Sequence, residues 1–176
     1  MSRAYRVTWV TVASNVSTDD TLTMNLSLLG ILPEDEMAAL LREELARRGW
    51  TPGEGGALTG SVQGLDASLS PDATKVTVTA RAEGDVSARG TSRDDAKAAL
   101  ERAEGAARDE LKAGAAKRLT AAEPDLRAAM GEAIQRVYVE ALKRKAASMG
   151  TIESIDERGP EGGGGGDYEV TIKVRT

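Results

Sequence analysis

The feature that most constrains this chain is a helical period that runs from residue 92 to residue 148, close to a third of its length. Small and apolar residues recur there at intervals of three and four, which places them on one face of an α-helix. Ser92 is a suitable N-cap, and Asp94 and Asp95 follow in the first turn, where the helix dipole favours acids. Pro124 interrupts the pattern. The sequence therefore predicts two helical segments, arranged as a helical hairpin or as one kinked helix: 92–120 and 124–148.

The two segments differ in what they can bury. The first has a stripe of mostly small residues, which remove little apolar area from water: Ala96, Ala99, Leu100, Ala103, Ala107, Leu111, Ala115 and Leu119. The second has a stripe of larger residues: Leu126, Met130, Ile134, Val137, Tyr138, Ala141 and Leu142. Because small side chains allow another helix to approach closely, the first stripe is a candidate contact for a neighbouring helix, a second copy or another protein.

A shorter helix is predicted over 34–48. Pro33 is assigned to its first position, and Gly49 ends it. Trp50 is expected to pack back on the end of this helix. The buried stripe consists of four residues: Met37, Leu40, Leu41 and Leu45.

The remaining segments alternate between apolar and polar residues, a pattern typical of half-buried strands. The polar stretch 15–20 is assigned to a turn, and Pro71-Asp72-Ala73 is predicted to join two strands. Gly60 and Gly64 predict a bulge or a close approach of another backbone. Three residues are assigned to one face of the first strand, opposite Arg6 and Thr8: Tyr5, Val7 and Trp9. The predicted strands are 5–12, 21–32, 57–70, 74–83, 151–157 and 168–175.

These elements predict a single α+β domain over residues 1–176, with a largely antiparallel sheet of six or seven strands and helices packed on one face. No apolar stretch has the length or position of a signal peptide or a membrane span. We therefore expect a soluble, cytoplasmic protein. The Gly162–Gly166 run is expected to be a flexible loop of the last hairpin.

The chain contains no His, no Cys and no Phe. Without thiols and imidazoles it has no disulfide, no thiolate or imidazole metal site, and no nucleophilic mechanism that needs a histidine base. Its 23 basic and 28 acidic residues give a net charge of −5, which disfavours binding to a phosphate backbone. We expect no catalytic, cofactor-binding or metal-binding residues, and therefore a protein that is not an enzyme.

Several groups of residues have features of functional sites, and each has a plainer interpretation. The loop Gly53–Gly56 lacks the spacing of a phosphate-binding loop and is interpreted as a turn. The basic run Lys143-Arg144-Lys145 is interpreted as the solvated end of a helix rather than a nucleic-acid contact. The acidic groups lack EF-hand spacing and fit helix starts or polar surface: Asp19-Asp20, Glu34-Asp35-Glu36, Asp94-Asp95 and Asp109-Glu110. The aromatic residues are expected to pack in the core or on helix ends, and an exposed one is a candidate hot spot for a partner: Trp9, Trp50 and Tyr138.

The C-terminal region carries a resemblance to a known group of proteins. Residues 137–145 (Val-Tyr-Val-Glu-Ala-Leu-Lys-Arg-Lys) lead through Met149-Gly150 into 152–157 (Ile-Glu-Ser-Ile-Asp-Glu), and 168–174 (Tyr-Glu-Val-Thr-Ile-Lys-Val) close the hairpin. This ending resembles that of small companion proteins encoded beside AAA+ or FtsH-type ATPases in bacterial multi-component conflict systems. The resemblance implies a non-catalytic adaptor or sensor subunit whose partner performs the nucleotide chemistry.

We therefore predict a non-enzymatic adaptor or assembly subunit of a bacterial cytoplasmic complex, accessory to an AAA+ ATPase, with a protein partner or a second copy. One alternative is a module that binds a small molecule or peptide on the sheet face or under the long helices. The other is a carboxylate- or metal-dependent enzyme, which requires acids that converge in one cleft.

Overall fold

A computed structural model describes residues 8–158 and 169–175. The elements, in chain order, are β1 (Val10–Asn25), α1 (Glu34–Arg47), β2 (Thr51–Pro52), β3 (Leu58–Val62), β4 (Leu65–Leu69), β5 (Lys75–Gly90), α2 (Arg93–Met149), β6 (Thr151–Arg158) and β7 (Glu169–Arg175). Five strands form an antiparallel sheet in the order β1-β5-β4-β3-β2. The predicted α+β class is confirmed.

The C-terminal hairpin is a sheet of its own. Within the described residues, strands β6 and β7 pair only with each other, antiparallel, with Ile155 opposite Ile172 and Thr151 opposite Arg175. The prediction of one sheet with six or seven strands is therefore wrong, although both hairpin strands were placed within about a residue. Tyr168 and the pentaglycine loop lie outside the described residues.

Strand β1 runs without a break through the segment 15–20 that was predicted to turn. Exposed and half-buried residues continue to alternate there, although the residues are small or polar. Val16, which is buried, lies on the same face as the other even-numbered residues. A side-chain period of two is enough to hold a strand even where Asn, Ser and Asp favour turns. The half-buried face of β1 carries the even-numbered residues. The expectation that Trp9 packs in the core or on a helix end is wrong, because Trp9 is 61% exposed. Tyr5 and Val7 lie outside the described residues.

The predicted strand 57–70 is two strands, β3 and β4. Gln63 and Gly64 both have positive φ, 49° and 75°, the backbone of a two-residue hairpin turn whose twist matches that of the strands. Gly64 therefore marks a turn and not a bulge. Gly60 does mark a close approach, since a Cβ there would lie 2.5 Å from Trp50 Cδ2. The turn at Pro71-Asp72-Ala73 is confirmed, and β5 extends to Gly90.

Helix α2 is continuous over 57 residues and includes Pro124. The predicted stop at Pro124 is wrong, and so is the helical-hairpin alternative. Proline removes one backbone donor and crowds the preceding turn, at a cost of roughly 3 kcal/mol. That cost is small beside the hydrogen bonds of a helix this long. The expected cap is confirmed, because the Asp95 N–H donates to Ser92 Oγ at 3.1 Å.

Helix α1 has the predicted buried stripe, namely Met37, Leu40, Leu41 and Leu45. Pro33 is its N-cap rather than its first residue. At the other end, the N–H groups of Gly49 and Trp50 donate to Ala46 O and Leu45 O, both at 3.0 Å. This is a Schellman ending, with Gly49 at φ 90°. Trp50 is buried after it, as predicted.

Contacts divide the chain into two compact units. Among the described residues, the first unit comprises 8–23, 62–67 and 77–124, and the second comprises 24–61, 68–76, 125–158 and 169–175. The largest fully buried side chains lie in the second unit, with the exception of Val78 in the first. The single domain over 1–176 stays a prediction.

Candidate protein-docking surface

Two adjoining features of the second unit bring functional side chains together around the end of α2. The first is a charged cleft of about 390 Å³ between α1, α2 and β6. It is lined by Glu44, Arg47, Glu132, Gln135, Arg136, Val139, Glu140, Lys143 and Glu157. The name "charged cleft" is used for these residues.

Glu44 is the centre of the cleft. Its side chain is only 9% exposed, and its two oxygens accept from Arg48 Nε at 2.9 Å and Arg47 Nη1 at 3.3 Å. Arg136 Nε lies 3.9 Å from the same carboxylate. A buried carboxylate is tolerated only when it is paired in this way.

Arg48 joins α1 to α2. Burial by itself lowers the pKa of Arg48, but hydrogen bonds to Glu44 and to Glu132 more than offset it, so the pKa lies above its ordinary value. The pKa of Arg47 is also raised, first of all by its hydrogen bond to Glu43. Both guanidinium groups are therefore held charged and committed to carboxylates.

The predicted basic run Lys143-Arg144-Lys145 is divided by this arrangement. Lys143 Nζ lies 2.8 Å from Glu157 on β6, and Arg144 contacts both Glu43 and Glu140. These two cations hold elements of the second unit together rather than facing a phosphate backbone. Lys145 alone of the three lines the second feature.

That second feature is an apolar groove of about 320 Å³ between the last turns of α2 and β7. Its lining consists of Leu142, Lys145, Ala146, Met149, Val170, Ile172 and Val174, and these residues are called the hairpin groove. The Met149 side chain is 64% exposed. Ile155, opposite Ile172, is 40% exposed and extends the apolar surface.

The hairpin groove depends on a glycine at the end of α2. Gly150 joins α2 to β6, and a Cβ there would collide with the Arg175 carbonyl and the Val174 side chain. Only glycine lets β7 lie this close to the helix end. Val170, Ile172 and Val174 then face one side of the hairpin while Glu169, Thr171, Lys173 and Arg175 are exposed.

The acidic groups weighed from the sequence are not brought together. Asp19 and Asp20 lie on opposite faces of β1, and Asp94-Asp95 and Glu34-Asp35-Glu36 occupy first helical turns. Among residues 8–158 and 169–175, no three acidic side chains converge in a way that would hold a metal ion. In the same part of the chain, no helix is long and apolar enough to cross a membrane.

The glycine-rich loop and the aromatic residues have structural partners. Gly53–Gly56 contains a short 3-10 turn, and the Arg42 guanidinium donates to Gly56 O and to Pro71 O at 2.8 Å. Tyr138 Oη accepts from the Leu29 N–H at 3.1 Å and lies 3.4 Å from Ser27 O. Of the aromatic residues that the structure describes, Trp9 alone is exposed.

Sequence reasoning missed the charged cleft. The Glu-to-Arg spacing of four recurs at Glu43–Arg47, Glu44–Arg48 and Glu140–Arg144, which is the favourable orientation within a helix. That signal was present, but it predicts pairs within one helix and not the pairing of α1 with α2.

A comparison with family models matches residues 1–176 to a family described as FtsH ternary system domain X5. Neither the curated proteins nor the solved structures contain a significant match.

Proposed function

The chain belongs to the FtsH ternary system domain X5 family, and from this premise we propose that it is a non-enzymatic adaptor or assembly subunit of a bacterial cytoplasmic complex. A ternary system has more than one component, so the family itself implies protein partners. The partner we propose is the FtsH-type AAA+ ATPase of the same system. In this proposal the ATPase performs the nucleotide chemistry.

The observation that carries the proposal is the contrast between the charged cleft and the hairpin groove. The acidic and basic side chains of the cleft form ion pairs with each other, so the cleft offers few unpaired charges to a substrate. The groove instead exposes Met149 beside a row of valine and isoleucine side chains. A flexible methionine suits a protein contact because it can adapt its shape to a partner.

The chemistry of the groove defines the segment it would take. Lys145 lies on its rim, and no described carboxylate pairs with its ammonium group. We infer that the partner presents an apolar side chain to Met149 and Ile172, with a carboxylate near Lys145. The groove is open to solvent along its length, which suits an extended or helical segment of a protein.

The absence of catalysis by the chain itself rests on its composition. General base catalysis near neutral pH most often uses histidine, and the chain has none. The carboxylates that do meet in the second unit are paired with arginines, as Glu44 is with Arg47 and Arg48.

The experiment is an affinity retention assay with the purified ATPase of the same system, in the presence and absence of ATP. Wild-type chain is expected to be retained, and Met149→Glu is expected to weaken retention by about tenfold or more, since it places a charge on the apolar contact. Ala147→Glu is the matched control, because it adds the same charge to the same helical turn at an exposed position.

Two results would contradict the proposed contact with the ATPase. One is that wild-type chain is not retained in either nucleotide state. The other is that Ala147→Glu weakens retention as much as Met149→Glu, which would remove the groove from the contact. A measured turnover of any substrate by the chain alone would contradict its non-enzymatic role.

A further inference from the structure

The five-stranded sheet has two very different edges. One edge is β2, which has two residues and includes Pro52, so it offers almost no backbone for pairing. The other edge is β1, which has 16 residues and contains no Pro, Lys, Arg or Gly. Within the described part of the chain, no strand pairs with its outer side. A long, regular, uncovered edge of this kind is a template for another strand.

The hydrogen bonds show which residues face that outer edge. The Leu26 N–H donates to Thr74 O at 2.7 Å, next to the paired strands. Asn15 bonds Asp85 at 2.9 Å, and Thr23 lies 3.5 Å from Thr77, which indicates one unbroken register along the pair. Along a strand of an antiparallel pair, every second residue bonds the partner strand through its N–H and C=O groups, and the residues between direct these groups to the other side. The even positions of β1 therefore bond β5, and the odd positions direct their N–H and C=O groups to the free edge.

We propose that a second copy of this chain covers this edge, with the two β1 strands antiparallel about a two-fold axis at Ser17. Such an axis places residues opposite each other when their numbers add to 34. The half-buried face then matches Val10 with Met24, Val12 with Leu22 and Val16 with Thr18, so two pairs are apolar on both sides and the third sets a valine against the β-branched threonine.

The polar residues match equally well in this register. Asp20 lies opposite Ser14 and Asp19 opposite Asn15, so each carboxylate meets a neutral hydrogen-bonding side chain. The remaining exposed pairs are Thr11 with Thr23, Ala13 with Thr21, and Ser17 with its own copy.

Other two-fold registers lose this match. Moving the axis to Thr18 places Asp20 opposite Val16, and moving it to Asp19 places two like charges opposite each other. Moving it to Val16 places Asp20 opposite Val12. The Ser17 axis also lies near the middle of β1, so nearly the whole strand takes part. Self-complementarity over one register is the property that an interface between identical copies requires.

The test uses cysteines introduced into a chain that has none. Opposed residues of a hydrogen-bonded antiparallel pair have Cα atoms about 5.5 Å apart, which a disulfide can span. Ser17→Cys is expected to form a covalent dimer under mild oxidation. Ala13→Cys and Thr21→Cys, each alone, are expected to cross-link at least about tenfold less, because each faces the other position and not itself. The double variant Ala13→Cys/Thr21→Cys is expected to cross-link.

A second measurement does not depend on cysteine. Wild-type chain is expected to show twice its mass of 18.5 kDa in size-exclusion chromatography with light scattering. Ser17→Pro is expected to be monomeric with an unchanged circular dichroism spectrum, since proline is tolerated where the missing N–H faced outward. Thr18→Pro is the control, and it is expected to lower the melting temperature because the Thr18 N–H faces β5.

A wild-type monomer at micromolar concentration would overturn the proposal and leave the edge to a strand from a different protein. Cross-linking of Ala13→Cys or Thr21→Cys alone, at the level of Ser17→Cys, would overturn the register. A dimeric Ser17→Pro would place the interface elsewhere on the chain.

Discussion

The two halves of α2 belong to the same helix and yet pack in different ways. In the first unit, the buried helix residues are Ala96, Ala115, Leu119 and Ala122, and Leu111 is half-exposed against the sheet at Gly84. In the second unit, they include Leu126, Met130 and Val137, all almost fully buried. The first half therefore lies close to the sheet but removes little apolar area from water.

This difference teaches where the chain gets its stability and where it offers its surfaces. The second unit holds the large core side chains and the ion pairs of the charged cleft. The first unit combines a thin core with the uncovered edge of β1. Regions with few buried apolar contacts open locally at lower free energy, so the first unit is expected to gain more from a partner.

The largest expected effect comes from truncating one leucine in each half of α2. Leu126→Ala is expected to lower the free energy of unfolding by about 3 kcal/mol, because it leaves a cavity in a closed core. Leu111→Ala, at a half-exposed position, is expected to cost about 1 kcal/mol or less. Chemical denaturation of the two variants checks this. Equal costs would break the comparison between the two halves.

A smaller effect is expected in the charged cleft. Glu44→Gln removes the charge that pairs with Arg47 and Arg48 in a largely buried position, and it is expected to cost about 1–2 kcal/mol. Glu132→Gln is the matched control, because Glu132 is 70% exposed and surface pairs contribute about 0–1 kcal/mol. If both variants have the same melting temperature as the wild type, the ion pairs of the cleft do not stabilise the second unit.

The smallest effect is a pH dependence carried by one aspartate in each unit. Hydrogen bonds, first from Ser70 and then from Thr74, lower the pKa of Asp72 to about 2, and bonds first from Ser92 and then from Thr91 lower the pKa of Asp95. Because the folded values lie below the ordinary value of about 3.9, each carboxylate stabilises the fold above pH 4.

That stabilisation is lost as the pH falls from about 4 towards the folded value, which for Asp72 is about 2. Asp72→Asn and Asp95→Asn are therefore expected to melt below wild type at pH 7 and to approach it at pH 2.5. Differential scanning calorimetry across this range checks the sign. A gap that widens in acid would contradict the assigned hydrogen bonds.

The periodicity of the helices and the residues that cap them could be predicted from the sequence. The pairing of side chains from different helices and strands could not. The stripe of α1, the Gly49 ending and the Ser92 cap each follow from residues within a few positions of one another. The turn predicted at 15–20 and the interruption predicted at Pro124 fail, because the strand and the helix continue on both sides and outweigh the local preference.

The candidate surface was only partly predictable for the same reason. Lys143 and Arg144 were recognised as a basic run, but their partners Glu157 and Glu43 come from other elements. The groove depends on Gly150 and on the separate sheet of β6 and β7, which no local pattern indicated. The sequence therefore did not indicate that the Met149 side chain would be exposed.

The central claim is that this chain acts through the surface it presents to the ATPase of its system. Hydrogen exchange of the full chain, read by mass spectrometry with and without that ATPase, tests the claim most directly. Slower exchange in peptides covering 142–149 and 169–175, with Lys145 and Met149 at the centre, is the result expected. Exchange that is identical at every peptide, with the ATPase present at saturating concentration, would contradict the account.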